Sequence, residues 1–118
     1  MREYKFRCWD KIIETMTDWE KLSENDYLSR HIEWPERKII MQFTGLLDKN
    51  GKEIYEGDIV TAPKKDGTKI MAPVVFYHGH FMMTKTKTLK KWRSLGHKSN
   101  KDQLEVIGNI YEHDHFLK

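Results

Sequence analysis

Residues 41–60, MQFTGLLDKNGKEIYEGDIV, constrain the fold most. Met41, Phe43 and Leu46 are apolar positions leading into Asp48-Lys49-Asn50-Gly51, a turn in which Asn50 and Gly51 both tolerate positive φ. Ile54 and Tyr55 follow, and Gly57-Asp58 then opens a second apolar run at Ile59-Val60. The pattern is strand, loop, strand. It holds no phosphate-cradling glycine loop, activated nucleophile or metal-ligand cluster, so we read it as architecture.

The rest of the chain continues in short strands. Residues 3–9 alternate, with Tyr4, Phe6 and Cys8 on one face and Glu3, Lys5 and Arg7 on the other, which predicts a half-buried strand. Ile12, Ile13 and Met16 either form a second strand or enter a helix. Thr17-Asp18-Trp19-Glu20 has the capping-box pattern and Leu22 follows Trp19 at helical spacing, so a short helix is predicted over 17–24. Residues 25–37 are polar and irregular around Pro35. Further strands are predicted over 38–44, 57–63, 69–77 and 104–112. Asp66-Gly67 and His78-Gly79 mark turns between them. Pro73 lacks a ladder donor and marks an edge or bulge, and Gly108 suits a bulge. Thr88 is placed to cap a helix that carries Leu89, Trp92 and Leu95 on one stripe and stops at Gly96. In that helix Trp92 is a core residue. The predicted class is mainly β, a small barrel or strongly bent sheet with one or two short helices.

Three segments, Phe6-Arg7-Cys8-Trp9-Asp10, the 41–60 stretch and Glu105-Val106-Ile107-Gly108-Asn109-Ile110-Tyr111-Glu112, together resemble the YopX family of small phage and prophage proteins. The resemblance covers the first ten residues and roughly 39–60 and 104–112. It implies an SH3-like β-barrel over about Tyr55 to Tyr111, with Gly57-Asp58-Ile59-Val60 opening its first strand. The chain is then one domain, with an N-terminal strand-rich extension over 1–54, the barrel over 55–112 and a tail over 113–118. The resemblance implies a phage or prophage setting and a fold, but no particular activity. His113-Asp114-His115 departs from the plainer tail it would imply.

Composition narrows the setting. The length of 118 residues suits one domain with one core, and 14 aromatic side chains argue against a disordered chain. Cys8 has no second cysteine to pair with, which suits the reducing cytoplasm of a host cell. No apolar run approaches the roughly 20 residues that span a bilayer, so a soluble protein without a membrane partner is expected. Net charge is only +3 but unevenly placed. Residues 67–101 contain no Asp or Glu and eight basic residues: Lys69, Lys85, Lys87, Lys90, Lys91, Arg93, Lys98 and Lys101. Such a face meets an anionic partner, stays solvated, or meets the acidic part of a second copy, which makes a homo-oligomer the expected state.

Candidate chemistry is sparse. His78 and His80, and again His113 and His115, stand two apart and would build a zinc site if the pairs met. Gly79 inside the first pair and the terminal position of the second favour a turn and a tail, so no metal or cofactor is expected. Cys8 shares its face with Tyr4 and Phe6 and reads as a small core residue rather than a nucleophile. Glu53, Glu56 and Asp58 offer carboxylates for acid–base work or a cation, but Glu56-Gly57-Asp58 reads instead as a turn whose carboxylates cap backbone N–H groups. The expectation is a protein that is not an enzyme. Two functions fit. The first is an interaction module that binds a protein partner through strand edges and loops. The second is a nucleic-acid-binding accessory protein in which Lys85, Lys87, Lys90, Lys91, Arg93, Lys98 and Lys101 neutralise phosphates. Trp92 or Phe81 would add base stacking only if exposed.

Overall fold

The structure, a computed structural model, describes residues 3–24, 32–84, 92–97, 100 and 103–117. It is mainly β. The elements are β1 (Phe6–Asp10), β2 (Thr15–Thr17), α1 (Trp19–Leu22), β3 (Lys38–Leu47), β4 (Glu53–Tyr55), β5 (Asp58–Pro63), β6 (Lys69–Tyr77), β7 (His80–Thr84), β8 (Trp92–Ser94) and β9 (Glu105–Asn109), with a 3-10 turn at Asp114–Leu117. The chain divides into two units, Met1–Phe43 and Thr44–Lys118. No helix among the described residues is long and apolar enough to cross a membrane.

In the first unit β1 pairs antiparallel with β3, from Phe6 opposite Gln42 to Asp10 opposite Lys38. β2 lies along the other edge of β1. The helix is shorter than the predicted 17–24 because Asp18 is its cap, accepting the Lys21 N–H at 3.1 Å. Cys8 is buried, as its alternating position predicts, and burial pushes its thiol pKa up. Tyr4 departs from that face: it is exposed and precedes β1. Asp10 ends the strand as a buried carboxylate. It accepts the Ile12 and Ile13 N–H groups and pairs with Arg37 Nε at 2.9 Å and Lys38 Nζ at 2.7 Å. The Arg37 contact comes first among the causes that hold its carboxyl well below the usual range. Of the irregular segment 25–37, residues 25–31 lie outside the described residues.

β3 continues into the second unit, where β4 folds back on its end and the Thr44 hydroxyl donates to the Ile54 carbonyl at 2.7 Å. A five-stranded antiparallel sheet follows, in the order β8-β7-β6-β5-β9. Side chains two apart share a face, so Val60 and Ala62 of β5 and Ala72 and Val74 of β6 meet in one core. Ile54, Met83, Leu95 and Leu104 complete it. β6 serves two partners in turn. Residues 69–73 pair with β5 and residues 74–77 with β7, and Pro73 stands at the hand-over. The residue without a donor thus sits where the strand changes partner, which is how a proline fits inside this sheet. β6 and β7 are joined by His78-Gly79, with φ of 50° and 81°, the two-residue turn in which both central residues are left-handed. β9 pairs with β5 across a bulge: Gly108 faces Ile59 but Val106 faces Val60, leaving Ile107 as the extra residue.

Over the described residues 92–97 the predicted helix around Trp92 is not formed. Residues 92–94 are a strand paired with β7, Thr84 opposite Trp92 and Met82 opposite Ser94. Positions 92 and 95 share a face in a helix but alternate in an extended chain. The sequence satisfies both patterns for Leu95, which is buried, and only one for Trp92, which is 53% exposed. Pairing with the open edge of β7 overrides the helical spacing. Thr88 and Leu89 lie outside the described residues.

Candidate anion-binding groove

The segments that carry the family resemblance interlock as architecture. Asp48, only 7% exposed, accepts the Asn50 N–H at 2.8 Å and the Lys52 N–H at 2.9 Å on Oδ1, and the Val106 N–H at 3.0 Å on Oδ2. One carboxylate thereby closes the β3–β4 turn and ties it to β9. Burial opposes its charge, but the three N–H donors outweigh that and lower its pKa. Gly57 has a φ of 84°, donates to the Val74 carbonyl at 2.9 Å and accepts from the Ile110 N–H at 2.8 Å. Beside it, Asp58 Oδ2 accepts the Tyr55 N–H at 2.8 Å, so Glu56-Gly57-Asp58 is a capped turn, as read from the sequence.

The histidines take separate partners. His78 stacks edge-on to Tyr77 with centroids 4.2 Å apart, whereas His80 packs against Trp92 at 5.2 Å. His113 Nδ1 accepts the Asn109 N–H at 3.1 Å, and its ring lies over Gly108. Among the described residues, no three His, Cys, Asp or Glu side chains gather in a metal-binding group.

The site with chemical character lies where β8 approaches the end of β5. In the sheet order these strands are three places apart, so a contact between them requires the sheet to curl. Arg93 makes that contact: its Nη1 donates to the Pro63 carbonyl at 2.9 Å and to Asn100 Oδ1 at 3.1 Å. Buried Asn100 in turn donates to the Leu95 carbonyl at 2.9 Å, which holds the turn after β8. Around this clasp opens a groove of about 640 Å³, lined by Lys64, Lys65, Trp92, Ser94 and His97 besides the clasped pair. The described lining contains no carboxylate. The nearby Asp66 turns into its own loop, where the Thr68 hydroxyl and N–H hold its pKa down.

Of the basic residues singled out in the sequence, Arg93 is placed here, half-buried and engaged with backbone and amide oxygens. Lys85, Lys87, Lys90, Lys91, Lys98 and Lys101 lie outside the described residues. Sequence reasoning missed Lys64, Lys65, His97 and Asn100. The two lysines sit in the β5–β6 turn, far from Trp92 in sequence, and only the curl of the sheet brings them to it. The available signal was local, the Pro63-Lys64-Lys65 run just before the Asp66-Gly67 turn.

Comparison with known proteins agrees with this architecture. The crystal structure of protein EF1440 from Enterococcus faecalis is similar, with 28% sequence identity, a TM-score of 0.66 and 100% of each chain covered. No protein of curated function matches the sequence. A family model described as YopX protein matches residues 5–118, including the segments 11–38 and 85–101 that the three motifs leave uncovered, and the chain therefore belongs to the YopX family.

Proposed function

We propose that the protein is a non-enzymatic nucleic-acid-binding accessory protein whose binding surface is the groove beside Trp92. The observation that carries this reading is the exposure of Trp92 at a cationic wall. A buried Trp92 would leave the lysines as a merely solvated face; an exposed one puts an aromatic plane among charges that neutralise phosphates. A non-enzymatic role is supported by the lowered carboxylates Asp10, Asp48 and Asp66, whose charges are spent on N–H, hydroxyl and cationic groups of their own surroundings. The strand order β8-β7-β6-β5-β9, in which the last strand joins the first of the five, supports assigning this unit to the SH3-like barrels. The family and the single buried Cys8 support a phage or prophage protein working in the host cytoplasm.

Fluorescence anisotropy with labelled oligonucleotides over a salt series tests the reading. Affinity is expected to fall linearly on a log–log plot as salt rises. Replacing Lys64 and Lys65 with Ala should flatten that slope by roughly 1.4 to 1.8 units, about 0.7 to 0.9 for each phosphate no longer neutralised. Absence of binding to any DNA or RNA at low salt would refute it. A protein partner is the second reading, favoured by Phe76 and Tyr77 at the end of β6, which are 49% and 46% exposed. Recovery of one partner from host cells regardless of nuclease treatment, with no oligonucleotide binding, would establish that reading instead.

A further inference from the structure

We infer that the groove selects single-stranded nucleic acid, one base stacking on the indole of Trp92 while the adjoining phosphates lie on Lys64 and Lys65. The inference rests on the nucleic-acid reading of the groove and adds the form of the ligand. In a duplex the base faces are hidden within the stack, so an aromatic side chain on a groove wall reaches only edges and backbone. A single strand presents its faces, and stacking on an exposed aromatic tolerates any base.

The surroundings of Trp92 suit a platform. It stands in β8, hydrogen-bonded to β7, so its backbone is set by a sheet rather than a loop. Its ring packs against His80 with planes tilted 59°, which restricts the indole's rotation and leaves more than half of the residue to solvent. Arg93, the next residue, points to the other side of the strand and anchors it to Pro63. The same hydrogen bond draws the β5–β6 turn, with exposed Lys64 and Lys65, to the rim of the groove that Trp92 lines. Ring and charges thus line one groove beside this clasp. A platform fixed before binding loses little conformational entropy when a base arrives.

The test compares an unstructured oligothymidylate with a duplex of equal length at one salt concentration, reading anisotropy and intrinsic tryptophan fluorescence. The single strand should bind more tightly and quench the emission. Trp92→Ala should weaken single-strand binding by about 5- to 150-fold, the fold-change that corresponds to one stacked base, with little change in melting temperature. Trp92→Phe should keep the affinity within a few-fold while losing the quench. Trp92→Leu keeps apolar bulk without a stacking plane, so it should bind as weakly as Trp92→Ala even if the smaller residue unsettles the fold. Equal or tighter binding to the duplex, or full single-strand affinity in Trp92→Leu, overturns the inference. If in that case Lys64→Ala with Lys65→Ala still weakens binding and flattens its salt slope, the groove remains a nucleic-acid site and only the single-strand selection falls. No binding by either form removes both.

Discussion

Asp48 shows how one side chain can hold a fold together. Its carboxylate is the acceptor for three backbone N–H groups, two in its own turn and one on β9. Asp48→Ala would leave three part-buried donors short of an acceptor, at about 1 to 3 kcal/mol each where water does not replace it. Urea unfolding should therefore show a loss of at least about 1 kcal/mol. The pH dependence follows in sign. The folded pKa lies below the ordinary value of 3.8, so the charge stabilises the fold above that value, and the contribution is lost as pH falls through the folded pKa. Asp10 acts in the same direction. Stability should decline on acidification below about pH 4, and less steeply for Asp48→Asn than for the parent. Gly108 makes a different demand. A Cβ there would sit 2.7 Å from the His113 ring, and that ring is held by the Asn109 N–H. Gly108→Ala should lower the melting temperature. Adding His113→Ala should cost less in that background than in the parent, because there it also removes the clash. Additive losses in a double-mutant cycle would show that the contact is not what requires glycine.

At the scale of elements, β8 is where reading and structure diverge, and a pair of substitutions separates its two roles. Arg93→Ala removes the clasp to Pro63 and Asn100 and should destabilise the protein by about 1 to 3 kcal/mol through a buried amide left short of a partner. Trp92→Ala, one residue away, should barely move the melting temperature. A large loss for Trp92 and none for Arg93 would reverse the assignment. The strands were legible as short apolar runs bounded by turn signals, Gly57-Asp58 and Pro63 for β5, Asp66-Gly67 and His78-Gly79 for β6. Backbone chemistry marked Pro73, which lacks a donor, as an edge or bulge and Gly108, which lacks a Cβ, as a bulge, but that β6 changes partner at Pro73 was not in the sequence. β8 was not legible, because three residues give too short a window to distinguish period two from period 3.6. The groove was not legible either. Its lysines and its tryptophan come from distant turns and strands, and no local pattern encodes how far a sheet curls.

At the scale of the molecule, charge governs the expected behaviour in solution. The excess of positive charge in residues 67–101 and of negative charge elsewhere favours association of copies through complementary faces. Light scattering at low salt should give a mass above the 14.2 kDa of one chain and approach it as salt rises. A value of one chain mass at low salt would mean that the basic face does not meet a second copy. The strand order adds a consequence in time. The pairings of β5 with β6, β6 with β7 and β7 with β8 are local, but Val106 reaches Asp48 across 58 positions of chain. Hairpins form quickly, while a bond across so long a loop must wait until the intervening chain is already ordered. The Asp48 tie is then a late event, made after the rate-limiting barrier. In a chevron, the part of the Asp48→Ala loss that comes from the Val106 tie should raise the unfolding rate, while the part from its own turn with Asn50 and Lys52 should slow refolding.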